Sequence, residues 1–144
     1  MINVNSVMSA LGTIISSDST LVNSGVSVEV SEVFNTDPNR TPWVGVYYGS
    51  TEIDPHRVGS QAPWRATHEL WIFCQEHSHK SGEDASDLLD RLMFPVLSAV
   101  NSDKNLSGSV NIVTGFEVVP FDRDIQDEEW MFTNQVILRA ITDV

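Results

Sequence analysis

At 144 residues, with 41% hydrophobic and 8% aromatic residues, the chain is one domain's worth of globular polypeptide, long enough to bury a core without staples. Eight Lys and Arg against 20 Asp and Glu leave a formal charge of -12, which argues against a surface that grips nucleic acid or anionic lipid, because both need clustered basic side chains. The lone Cys74 makes no intramolecular disulfide, and no apolar run approaches the ~18 residues of a membrane helix.

The opening stretch has no basic segment and no long apolar run, so it does not read as a signal peptide. The expectation is a soluble protein made in a cytoplasm. Val4, Val7, Met8, Leu11, Ile14 and Ile15 recur at three- and four-residue spacing and predict a first amphipathic helix. Its other faces carry small polar residues, so packing rather than propensity must hold it, and it should end in the run 16–19. After Gly25 the period changes to two: Val26, Val28 and Val30 alternate with Ser27, Glu29 and Ser31, a half-buried strand. The turn-rich stretch 35–39 ends it. Residues 43–48 are apolar on both faces, as suits a strand inside a sheet.

Residues 50–63 show no periodicity and hold Pro55, Gly59 and Pro63, which predicts a long loop of the kind that is usually functional or ordered by a partner. From Trp64 to Cys74 alternation returns. Ala66, Leu70, Ile72 and Cys74 share one face, and Arg65, Thr67 and Glu69 the other, which Trp71 and Phe73 then join. A second helix follows, with Ala85, Leu88, Leu89, Leu92, Met93, Val96, Leu97 and Val100 as its stripe and Ser81 with Asp84 as its start. Pro95 inside the stripe predicts a kink or break. Two strands close the chain: Val110, Ile112, Phe116 and Val118 share a face in one, and Trp130, Phe132, Val136, Leu138 and Ala140 in the other. Residues 122–128 form an acidic hairpin tip between them. The order α-β-β-β-α-β-β predicts a single α+β domain over 1–144, with a mostly antiparallel sheet of about five strands and two helices on one face.

The chemistry-bearing motifs are sparse. Cys74, His77 and His79 lie within six residues and carry metal-ligand atoms, but structural zinc sites pair two such clusters and no second pair is present; His56 and His68 stand alone. Asp122, Asp124, Asp127, Glu128 and Glu129 lack the spacing of a calcium loop. No nucleophile elbow, P-loop or dinucleotide fingerprint occurs. The reading is therefore no enzyme, no cofactor and no metal, with a His–carboxylate enzyme using His68, His77 or His79 as the weakest alternative.

What the pattern does leave is apolar surface on a face that helices do not cover: Trp71 and Phe73 in the third strand, and Met131 and Ile137, with Ile141, in the last. Such patches mark protein–protein contact unless the chain's own long loop or first helix covers them. Self-assembly is the leading expectation.

The whole-chain layout resembles the tail terminator (tail completion) proteins of tailed bacteriophages. The resemblance rests on the helix Val4 to Ile15, the proline-led strand 41–47, the long third strand, and the leucine-rich helix around 87–92. The Gly-bearing stretch Ser109 to Gly115, the acidic turn and the closing strand Glu129 to Thr142 complete it. It covers nearly the full length but has no signature motif, and the long 50–63 loop and Pro95 depart from it. The resemblance implies a virion protein assembled in a host bacterium's cytoplasm. It would form a ring, commonly hexameric, that caps the tail tube, meets head–tail connector proteins, and lets DNA pass without gripping it. Pro55, His56 and Arg57 in the long loop, and Asp122, Asp124 and Asp127 in the tip, are the expected contact residues beside the apolar four. Another neck component, or a small dimeric ligand-binding module, remains the alternative.

Overall fold

A computed structural model describes residues 3–54 and 65–143. Helix α1 spans Val4–Ser16, its first turn capped by the Asn3 side chain, which accepts from the Ser6 amide. A helix not anticipated, α2 (Ser19–Asn23), follows at once, because Asp18 in the polar run caps it by accepting from the Leu21 amide. The strands are β1 (Ser27–Val30), β2 (Trp43–Asp54), β3 (Arg65–Ser78), β4 (Ile112–Gln126) and β5 (Glu129–Asp143), with α3 (Gly82–Asn101) between β3 and β4. They form one sheet in the order β1-β2-β3-β5-β4, antiparallel except for the parallel pair β1–β2. The fold is α+β, as the alternation of periods predicts.

Helices α1 and α3 cover one face. Val7, Leu11 and Ile15 of α1, with Leu89, Leu92, Val96 and Val100 of α3, bury Val44, Val46, Leu70, Ile72, Cys74, Val136 and Leu138. At Gly12 of α1 a methyl group would lie 2.5 Å from Val30 of β1, so the helix sits on the strand closer than any larger residue allows.

Three expectations change. Helix α3 runs unbroken through Pro95. The missing amide costs one bond, to the carbonyl of solvent-exposed Arg91, and the buried stripe on both sides of Pro95 holds the turn in place. Strand β2 continues to Asp54, so the first part of the expected 50–63 loop is paired to β3 through residues such as Thr51, opposite His68. Finally, Ile112 does not share a face with Phe116. A register shift between Val113 and Gly115 places Ile112 opposite Ile141 and Phe116 opposite Leu138, on different faces.

Candidate assembly surfaces

The face away from the helices is only partly bare. Between β1 and β2 the chain crosses it as a strap, residues 31–42, and Phe34 of that strap lies on the sheet. Its ring is 5.1 Å from Phe73, 5.4 Å from Trp43 and 5.7 Å from Phe121, centre to centre. Phe73 in turn packs edge-on against Phe121 at 4.8 Å, Tyr47 at 5.6 Å and Trp71 at 6.4 Å. Beneath the strap, Trp43 folds its indole over Gly45, where any Cβ would strike the ring. Two amides clamp the strap down: Asn35 Nδ2 donates to Gln75 Oε1 at 2.9 Å and Gln75 Nε2 donates to the Asn35 carbonyl at 2.9 Å. Both residues are buried, so each amide's hydrogen bonds matter.

The expected contact residues divide accordingly. Phe73 is 5% exposed and Met131 7% exposed, and residues of the strap lie against both. Trp71 and Ile137 are half-buried and face each other across β3 and β5. Trp71 borders an open groove of about 430 Å³ lined by Phe34, Tyr47, Tyr48, Trp71, Phe73, Phe121 and Gln135. Asp122 and Asp124 lie along β4 rather than at a tip and line a small recess with Met131, Thr133, Asn35 and Thr36. Asp127 occupies the two-residue turn between Gln126 and Glu129. Pro55, His56 and Arg57 lie outside the described residues.

Four aromatic residues of the groove escape sequence reading: Phe34, Tyr47, Tyr48 and Phe121. Phe34 sits in a stretch with no period, Tyr47 and Tyr48 look like further apolar positions in a run, and Phe121 follows a proline inside an acidic segment. Phe121 is the extra residue where the β4–β5 register shifts between Pro120 and Asp122, and such a shift re-aims a side chain.

The second surface is an edge. Among the described residues strand β4 pairs with β5 alone, and its 15 residues are mostly exposed. Val118, Phe121 and Ile125 stand 42%, 53% and 59% exposed along it. Arg123 pins the distal part, donating to the Thr133 carbonyl at 2.8 Å and to Asn134 Oδ1 at 2.7 Å while lying over the Phe132 ring. A long free edge with apolar side chains is a template for pairing with another chain.

The histidines separate. His68 is buried, held between the Thr51 and Thr142 hydroxyls at 2.9 and 3.1 Å, and burial lowers its pKa. His77 lies at the other end of β3 and His79 just beyond it, and Cys74 faces the helix-side core with its thiol pushed up to about 12 by burial. Among the described residues no helix is long and apolar enough to cross a membrane.

No protein-family model matches the chain, and no curated protein matches it. Among solved structures it is similar to a chain of the virion of a native gene transfer agent (GTA) particle, at 11% identity and a TM-score of 0.47 over 95% of this chain and 94% of that one. At that level of similarity nothing about role passes from one chain to the other.

Proposed function

We propose that this chain is a structural virion protein, a tail terminator whose copies close into a ring, hexameric as the resemblance implies, capping the tail tube and joining it to the head. The observation that carries the reading is the pairing of two unlike, unsatisfied surfaces on one subunit: the 15-residue edge of β4 and the aromatic groove around Trp71 and Phe121. A head-to-tail contact needs two different complementary patches, and it closes into a ring when the rotation is right. The charge of -12 suits a lumen that DNA crosses without sticking, because carboxylates repel phosphate. In this reading, the Asp122–Asp127 stretch and the 55–57 segment meet the tube or the connector.

Light-scattering mass with negative-stain microscopy tests it. Closed rings are expected, and a strict monomer or two-fold dimer at high concentration overturns the reading. A ligand-binding module is the second reading, favoured by the 430 Å³ aromatic groove. It predicts a dimer whose tryptophan fluorescence responds to an apolar ligand.

A further inference from the structure

We propose that His77, His79 and Glu129 form a binding site for a divalent transition metal of the zinc type. The sequence offers only one His pair, and a site made from it alone is incomplete. The sheet supplies the missing ligand. Ser78 of β3 lies opposite Trp130 of β5, so His77 of β3 and His79 just past its end come together with Glu129 of β5 at the strap side of that pair. Both imidazole Nε2 atoms lie 3.7 Å from Glu129 Oε1, and the three potential ligand atoms fall within 4.8 Å of one another. A tetrahedral ion with bonds of roughly 2.0–2.1 Å holds neighbouring ligand atoms roughly 3.3–3.4 Å apart. The N···O separations are therefore short of ligation by a few tenths of an ångström. His79, with its side chain 72% exposed, is free to swing in and close the rest.

The tautomer of His77 is set correctly for ligation. Thr41 spends its hydroxyl proton on the Pro38 carbonyl at 2.8 Å, so its oxygen can only accept from His77 Nδ1–H in the bond that joins them. That leaves the Nε2 lone pair aimed at the Glu129 side. An outer-shell partner on the distal nitrogen of this kind accompanies nearly every metal-bound histidine. Two imidazoles and one carboxylate suit zinc and its neighbours rather than calcium or magnesium, and leave a position for water or a partner's ligand. Cys74 takes no part, since it faces the other side of the sheet.

The test is calorimetric titration of the tag-free full chain with Zn²⁺, alongside His79→Ala, Glu129→Gln and Thr41→Val. One ion per chain is expected, with binding weakened by more than about tenfold in the first two and by about 10–100-fold in Thr41→Val, which touches no ion. Zn²⁺ should raise the melting temperature of the native chain and not that of Glu129→Gln, whose metal-free melt matches the native one. Absence of binding overturns the proposal, and so does equal affinity in the native chain, His79→Ala and Glu129→Gln, which would place the ion elsewhere.

Discussion

The two faces of the sheet are built on different rules. The helix-covered face is a continuous apolar layer in which α1 and α3 each supply a stripe, and its strand residues are almost entirely removed from water. Among the described residues the other face is covered at one end, by a strap whose one regular element is the short 3-10 turn Pro38–Arg40 and whose grip on the sheet centres on one phenylalanine and a pair of amides. Packing on the first face is redundant, with many side chains sharing the load. On the second it is concentrated, so a single residue decides whether Phe73 and Trp43 meet water. The first face gives stability, and the second leaves apolar surface in contact with water.

That difference is broken most severely by truncating one side chain on each face. Leu89→Ala removes a fully buried α3 side chain and should cost about 3 kcal/mol, as core leucines do. Under the proposed function, ring formation should be unaffected wherever the chain stays folded. Phe34→Ala removes a half-buried ring and should cost less, about 2 kcal/mol, yet it strips the groove of one wall and should abolish assembly. Urea midpoints and light-scattering mass read both variants. Equal effects on assembly would mean that the two faces do not divide the labour.

The same contrast explains what was legible in the sequence. Positions such as Leu70, Ile72, Val136 and Leu138 repeat at the period of a strand, and Leu89, Leu92 and Val96 at that of a helix, because each must reach one common layer. The strap obeys no period, so Phe34 gives no sign in the sequence that it covers Phe73. Ile112 was misplaced for a related reason. A register shift leaves no trace in composition, and one inserted residue reverses every side chain beyond it. The His pair was visible, but its third ligand lies some fifty positions away and is supplied by strand pairing alone.

On its helix-covered side β3 also carries two ionisable groups whose pKa values move in opposite directions, and they sharpen the comparison. Burial lowers the pKa of His68 from 6.5. The folded chain then binds fewer protons than the unfolded one, so the stability from keeping it neutral is present above 6.5 and is lost as pH falls. Burial raises Glu76 from 4.5 to about 7, in a crevice with Leu21, Leu88, Arg91 and Leu92. Its contribution is present below 4.5 and is lost as pH rises through about 7. A displacement that large is worth roughly 3 kcal/mol at full burial, and about 1–2 kcal/mol for a carboxyl that keeps solvent access. Glu76→Gln should therefore match the native chain at about pH 4 and exceed it by about 1–2 kcal/mol at pH 8. Denaturant midpoints at the two pH values check this, and a difference that does not widen with pH would contradict the burial assigned to Glu76.

The smallest expected effect lies at the end of the β4–β5 hairpin. Asp127 and Glu128 form its two-residue turn with φ of 50° and 62°, both in the left-handed region. A turn of this hand favours Asn-Gly or Asp-Gly, since a side chain with a Cβ pays for that conformation and glycine does not. Asp tolerates it better than Glu, so Glu128→Gly should stabilise the chain by about 0.5–1 kcal/mol, a rise in melting temperature of a few degrees. Local rules broken without local compensation concentrate where a protein meets something else. The same hairpin carries Asp122 and Asp124 on the strap side, so under the proposed tail-terminator function, removing a carboxylate from its end should weaken attachment to the tube or connector even as the subunit melts higher. A variant that melts higher and assembles and attaches as well as the native chain would show that Glu128 is kept for neither purpose. The contact would then fall to the aromatic groove and the β4 edge.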